Sequence, residues 1–508
     1  MFETSDINTT VFFVSFAVYT LAIVTVGLYS ARYARRSDED YFLAGRSLGG
    51  WVAALSASAS SESGWVTLGL VGWAFASGVS AYWIIPGCLL GFLFNWFVVA
   101  SRLRDRSGAL SALTLPDFFA FTFRERIPLL RTLSVIVILV AMLLYVAAQL
   151  AAAGKAFSAS FDIPYRVGVL LGAGVVLLYT VLGGFRAVCW TDFLQALLMV
   201  GTLVVFPVYL LATHGGYGFI TEQLRSVDGS LLRLTPEKSG AAFLGFLLGA
   251  GALGINFGYP GQPHVLIRFM ALKDRREAVV GGIVSFVWGL CVYWGAVTVG
   301  LMARALTTEG AAWGQALLSS KEQAELGLVL SAMHLLPPVI GGLVLAAVLA
   351  AICSTADSQL VVAASSAAND LYARLFARSK QKAHMVVNRL VVLGLGLGAV
   401  LLVYDEQVQV YQYVLTYGWA ILGAAFGPQL ILALLWRRAS FGGCLAGMLT
   451  GFAVALVWQQ TYGASPRNVE VYNLPLAFVA ALIVNVVVSV LTPGRTVERA
   501  RLSDATHT

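Results

Sequence analysis

Apolar runs of about 20 residues recur from end to end of this 508-residue chain, each long enough to cross roughly 30 Å of hydrocarbon as a helix. No other feature restricts the fold as tightly. Inside a bilayer every backbone N–H and C=O has to be satisfied by the protein itself, and runs of this length do so as helices. Composition agrees: 58% of residues are hydrophobic and only 12% charged, too little polar surface for a soluble chain of this size. The runs predict about thirteen crossings, at residues 9–30, 47–74, 80–102, 131–157, 165–185, 190–212, 241–266, 277–304, 329–368, 385–403, 409–436, 440–459 and 473–491. The ninth is too long for one span and predicts a bent or interfacial stretch before Pro337 and Pro338. The first run has acids rather than bases before it and no small-residue cleavage site, so it reads as a retained helix, not a signal peptide.

Basic residues give the direction of threading. The clusters "ARYARR", "SRLRDR", "FRERIPLLR", "FRAV", "LKDRRE", "ARLFARSKQK", "LWRR" and "GRTVERAR" fall on alternate loops and at the C-terminus. Roughly 25 of the 33 basic residues lie on that side, which marks it as cytoplasmic. The N-terminus is then extracytoplasmic and the C-terminus cytoplasmic, in a cell's inner membrane. Read this way, the net charge of +7 is a topology signal and implies no nucleic-acid partner. The five cysteines, Cys88, Cys189, Cys291, Cys353 and Cys444, lie in or beside apolar segments without C-x-x-C spacing. They read as reduced core residues, with neither a disulfide framework nor a zinc site.

Two spans are interrupted. The second carries "SASASSESGW" at 56–65, five serines and Glu62 with no large aliphatic residue. Five spans later the seventh carries "GYPGQPH" at 258–264, where Pro260 and Pro263 each remove a backbone donor. Broken helices that open five-helix units on opposite sides of the membrane are the signature of an inverted repeat, with solute and ion bound where the breaks meet. The fold class expected is therefore an all-α polytopic membrane protein with a 5+5 inverted-repeat transporter core. Its units are 47–212 and 241–436, with a peripheral helix and loop at 1–46, an extracytoplasmic loop at 213–240, and two peripheral helices and a tail at 437–508.

A carboxylate in a membrane helix costs several kcal/mol, so each is a functional candidate by default. Three qualify: Glu62, Asp192 and Asp357. In "AAICSTADSQLVVAASSAAND", Ser354, Asp357 and Ser358 share one helix face and Thr355 lies beside them. Hydroxyls, a carboxylate and freed carbonyls are the hard oxygen ligands Na⁺ prefers. Unwinding near Ser60–Gly64 would free such carbonyls. The structural alternatives are specific. The serine–alanine run can be a close helix-packing face with hydroxyls bonded to the preceding turn. Asp192 in "WTDF" can be an interfacial cap, and no arginine is placed at the depth of Glu62. His264 reads as a helix-break or inner-vestibule residue. Tyr145 and Gln149 are one turn apart, Tyr259 lies in the seventh break, and Tyr417, Trp419 and Gln429 lie along "TYGWAILGAAFGPQL"; these complete a candidate pocket. No nucleophile–base pair or metal-ligand cluster is visible, which speaks against an enzyme.

The segments "DYFLAGRSLGGWVAALSASASSESGW", "GGFRAVCWTDFLQALLMV", "GYPGQPHVLIRFMA", "CSTADSQLVVAASSAANDLY" and "YGWAILGAAFGPQL" resemble the sodium/solute symporter family, most of all its bacterial sodium/proline symporters. The resemblance implies a sodium site of backbone carbonyls from Ala59, Glu62 and Ala351 with the hydroxyls of Ser354 and Thr355. A second cation site found in some relatives would fall on Asp192, Ser354, Asp357 and Ser358. Relatives have serine where Asp357 stands, so the added charge implies stronger Na⁺ binding or a protonation site. The solute would be held by Ser61, Ser63, Gly64, Tyr145, Tyr259 and Pro263, with Gln149 and Ile255 beside them. Two departures stand out. Proline carriers have aspartate at Ser61, whereas here the acid is Glu62, about 100° around a helix. They also have tryptophan at Ile255, four residues before Tyr259, so a ring face is lost from the pocket. The implied activity is Na⁺-coupled symport of a small organic solute, such as the amino acid proline, by alternating access. The alternatives are a solute sensor on the same fold or a carrier of another solute such as an organic acid. The expected partners are Na⁺, the solute and the bilayer; no other cofactor and no obligate protein partner is implied.

Overall fold

The apolar runs are helices. The computed structural model describes residues 9–31, 38–180, 185–237, 239–372, 381–405, 408–462 and 471–492. Among these, nine helices are long and apolar enough to cross a membrane: Trp65–Ala109, Leu129–Phe161, Phe185–Thr213, Arg275–Glu309, Pro338–Tyr372, Val386–Val403, Val410–Leu435, Phe441–Thr461 and Asn473–Leu491. Shorter apolar helices lie at Val14–Ile23 and Tyr165–Leu178. Among the described residues there is no strand, only one parallel bridge between Leu48 and Leu272.

Burial separates central helices from peripheral ones. Pro338–Ser365 is buried on every side from Val344 onward, so the helix bearing Ser354, Thr355 and Asp357 runs through the middle of the molecule. Ala346, Ala347, Ala350, Ala351 and Ser354 are small, which lets neighbouring backbones approach closely. By contrast, Leu390, Leu393, Leu397 and Leu401 are exposed along Val386–Val403, a helical stripe suited to lipid. The half-helix Gly50–Ser61 packs against Phe185–Thr213, Pro263–Met270, Arg275–Glu309 and Pro338–Ser365. That places the serine-rich segment at the crossing of four other helices.

Both interruptions are present, and one is wider than the sequence implies. Gly50–Ser61 ends at Glu62, whose φ of −100° and ψ of 74° leave the helical region, and the chain resumes as helix from Trp65. The seventh run forms Gly240–Leu247, then turns, then 3₁₀ turns over Leu253–Gly261, and re-enters an α-helix at Pro263–Met270. The expected break at 258–264 thus starts much earlier. Glycines at 249, 251, 254, 258 and 261 each cost a helix about 1 kcal/mol, which the prolines alone do not reveal. Gly258 is also fixed by space: a Cβ there would lie 1.9 Å from Trp419 Nε1. Ahead of Pro337, the short helix Gly327–Leu335 and an extended Leu336 form the bend expected in the ninth run.

The two ends of the bundle are tied by different contacts. Arginines from separate loops meet at one end, as their alternation along the chain implies. There Arg46 donates to the carbonyls of Met270 and Ala112, both at 2.8 Å. Leu48 N donates to Ala271 O at 3.1 Å and Lys273 N to Leu48 O at 3.0 Å, tying the entry of the second run to the exit of the seventh. Arg131 is buried between Asp117 and Asp370, 2.8 Å from the latter. At the opposite end, Lys155 Nζ lies 2.6 Å from Glu325 Oε2 with both side chains buried. The Glu325 carboxylate also accepts from Val410 N at 3.1 Å and Tyr411 N at 2.9 Å. Trp73 stacks on Tyr411, ring centroids 5.3 Å apart.

Candidate functional site

The break after Ser61 arises from residues that compete with helical bonding. Ser61 Oγ shares its one proton between Ser58 O at 3.1 Å and Glu62 Oε1 at 2.9 Å, and Ser63 Oγ accepts from Trp65 N at 3.3 Å. Gln149 Oε1, from Leu129–Phe161, accepts from Gly64 N at 3.1 Å, and Trp65 Nε1 donates to Ser61 O at 2.9 Å. The interruption is therefore braced by named partners. One carbonyl at the end of the half-helix turns to a different helix. Ala59 O accepts from Ser354 Oγ at 2.9 Å and Thr355 Oγ1 at 3.3 Å. The same hydroxyls reach Ala351 O at 3.1 and 3.2 Å. Back-bonding to the preceding turn and reaching across to the break thus coexist, and four neutral oxygens converge in a fully buried place. Glu62, the remaining expected member, closes this half-helix.

A second cluster lies nearby, and it holds a cation belonging to the chain. Asp192 and Ser358 come together as the sequence implies, joined by Ser56 and Ser60: Asp192 Oδ2 accepts from Ser56 Oγ at 2.8 Å and Ser60 Oγ at 3.1 Å. The guanidinium of Arg268 sits among them. Its Nη2 shares two protons among Asp192 Oδ2 at 2.8 Å, Ser60 Oγ at 2.8 Å and Ser358 Oγ at 2.6 Å, and its Nε donates to Ser56 Oγ at 3.0 Å. Nη1 donates to His264 O, and the guanidinium lies 5.3 Å from the centre of the Phe185 ring. Arg268 and Asp192 are both fully buried. This changes two readings. The helix holding Asp192 starts at Phe185, so Asp192 lies about two turns inside it and caps nothing. The expected second cation or proton site at Asp192 and Ser358 already has a fixed positive charge. Asp357 is fully buried on the same central helix, one residue before Ser358.

The third group surrounds Glu62. Its Oε1 accepts from Ser61 Oγ at 2.9 Å and from Tyr259 OH at 3.1 Å. Tyr293 OH lies 3.1 Å from Tyr259 OH. Since Tyr259 spends its proton on the carboxylate, Tyr293 is the donor in that second bond. Asn95 Nδ2 holds Tyr259 O at 2.8 Å. Trp419 packs edge-on to Tyr259 with centroids 4.7 Å apart, and its Nε1 donates to Ile255 O at 3.0 Å. An indole from a neighbouring helix thus stands beside the position where the sequence predicts a missing ring. Tyr145 meets His264 edge-on at 6.0 Å.

Other expected members are not brought here. Pro263 opens its helix and lines a separate small cavity with Thr114, Ile267, Val362 and Ser366. Gln429 is turned to Asn485 of Asn473–Leu491, and Tyr417 pairs with Tyr413 at 5.0 Å. Ser63 acts on the backbone of the break. Sequence reasoning missed Arg268, Tyr293, Asn95 and Ser56. For Arg268 a signal existed: Ser56 and Ser60 are one turn apart, a spacing that presents two hydroxyls to one partner.

The family model "Sodium:solute symporter family" matches residues 41–451. The sodium/proline symporter of Escherichia coli (strain K12) is 37% identical over 449 residues, covering 88% of this chain and 87% of that protein. The osmoregulated proline transporter OpuE of Bacillus subtilis (strain 168) is 34% identical over 482 residues, 94% of each chain. Among solved structures, the substrate-bound outward-open state of a Na⁺-coupled sialic acid symporter superposes with a TM-score of 0.75 at 20% identity, covering 96% of this chain and 99% of that one.

Proposed function

The chain belongs to the sodium:solute symporter family, and from that premise we propose that it carries a small amino acid, with proline the first to test, together with Na⁺ across a bacterial cytoplasmic membrane. The observation that carries this reading is the meeting of Ala59 O, Ala351 O, Ser354 Oγ and Thr355 Oγ1 where the second run breaks. Two hydroxyl protons now lie between these oxygens. An entering Na⁺ takes their place: the hydroxyls rotate, all four oxygens point lone pairs inward, and Gly50–Ser61 is held to Pro338–Ser365 by a cation. The carbonyl of Glu62 is the fifth ligand proposed.

Solute binds beside this ion, against Ser61, Gly64, Tyr145, Gln149, Ile255 and Tyr259. Ion and solute both stabilise the same packing of the break, so each raises the affinity of the other. Rocking of the bundle then opens the arginine-rich, cytoplasmic end. The helices are read as thirteen crossings in a 5+5 inverted repeat, N-terminus outside and C-terminus inside. Because Arg268 fills the Asp192–Ser358 cluster, no second Na⁺ is proposed there.

Uptake of radiolabelled L-proline into proteoliposomes tests this. A NaCl gradient should drive accumulation that KCl does not, and Ser354→Ala with Thr355→Ala should remove the Na⁺ dependence. Accumulation that is equal in KCl, or unaltered Na⁺ dependence in the double variant, would reject the assignment.

A further inference from the structure

Glu62 is a fully buried carboxylate that the ion site above uses only through its carbonyl. Its two oxygens are unlike. Oε1 is saturated by Ser61 and Tyr259, whereas Oε2 is buried without any hydrogen-bond partner. Among the described residues no Lys, Arg or His forms an ion pair with it. Three other buried acids each have a basic partner: Asp192 has Arg268, Glu325 has Lys155 and Asp370 has Arg131. Leaving one unmatched in a membrane helix is costly unless a cation arrives.

The surroundings of Glu62 define which cation. Tyr259 meets Phe92 edge-on at 5.1 Å, Phe92 lies 6.3 Å from Tyr293, and Trp65 lies 6.3 Å from Tyr293. Four aromatic rings and one carboxylate are the chemistry that recognises an organic ammonium: the faces attract a spread positive charge and the oxygen accepts its N–H. The chain Tyr293 OH to Tyr259 OH to Glu62 Oε1 delivers donors to one oxygen and leaves the other without one.

We propose that Glu62 Oε2 receives the positively charged amine of the transported solute, so that this carrier selects amine-bearing solutes over isosteres that lack the charge. The inference rests on the symport reading and adds to it the residue that reads the amine. An ammonium group supplies the missing counter-charge, and a neutral oxygen in its place leaves the acid buried alone.

The test uses matched solutes that differ only at the amine: L-proline against (S)-tetrahydrofuran-2-carboxylate, and L-alanine against L-lactate. Each is offered to the full-length purified protein in NaCl and in KCl, read as thermal stabilisation and as competition with any Na⁺-driven uptake. In NaCl the amine-bearing member should bind at least tenfold more tightly than its partner. Glu62→Gln should reduce that preference below threefold, and Glu62→Asp should retain part of it. Equal binding of matched pairs in the wild type, which needs no folded variant, would overturn the proposal, as would an undiminished preference in Glu62→Gln. Na⁺-dependent binding confined to the amine-free acids would overturn it while leaving Na⁺-solute coupling intact. Failure of every solute in both salts would overturn the symport reading and this inference together.

Discussion

Removing the guanidinium from Arg268 should be one of the most damaging single changes available in this protein. Arg268→Met keeps an unbranched apolar side chain but deletes donors to Ser56, Ser60, Asp192, Ser358 and His264 O, all in the interior. What remains is Asp192, buried and bonded only to serine hydroxyls. Breaking a buried pair by deleting one partner costs about 3–5 kcal/mol, because the surviving charge is stranded. At about 1.4 kcal/mol per decade that is roughly a 10²–10⁴-fold shift toward unfolded protein. The assay is equilibrium unfolding in mixed micelles with increasing SDS, in NaCl and in KCl. Two accompanying results fix the cause. Arg268→Met with Asp192→Asn should recover at least half of the lost stability, since the stranded charge is gone. NaCl should stabilise Arg268→Met more than it stabilises wild type, because a small cation can enter the vacated oxygen cluster. A single variant within 1 kcal/mol of wild type, or a double variant less stable than the single, would refute the reasoning.

Other expectations are more local. Gly258→Ala places a Cβ 1.9 Å from Trp419 Nε1, so it should cost about 1–3 kcal/mol by overpacking, and Trp419→Leu in the same chain should restore part of it; simple additivity would show that contact is irrelevant. Lys155→Met leaves Glu325 with two amide donors and no cation. Amide exchange in 321–335 and 410–413 should accelerate at least tenfold while 263–272 stays as in wild type, and unchanged exchange would deny the pair a role in closing that end.

The sequence makes the frame of this site readable for a simple reason. Glu62, Gly64, Ser354 and Thr355 lie inside otherwise apolar runs, where any oxygen stands out, and the proposed ligands come from two short continuous segments. Ala59 and Ser354 are far apart in the chain, but each was marked by its own surroundings. What stayed hidden was pairing. Arg268 lies in "HVLIRFMALKDRR", just ahead of a basic cluster, where it looks like one more topology signal. Only the extension of the helix to Met270 and its tilt against Gly50–Ser61 turn it inward. Lys155 and Glu325 are each charged residues near a span end, and nothing local says that they meet. Asp192 was placed at a helix start because the apolar count begins there, whereas the backbone turns helical earlier at Phe185. The width of the seventh break was concealed by counting prolines and passing over glycines.

The two ties at the ends of the bundle bear on how the molecule can move. Leu48 is strapped to Ala271 and Lys273 on one side, and Lys155 clasps Glu325 on the other. Each tie joins segments far apart in the chain, so parting the helices at either end means giving up those bonds first. The Lys155–Glu325 clasp is buried, where salt screens little, so its strength should vary less with ionic strength than that of exposed pairs such as Arg275–Asp105.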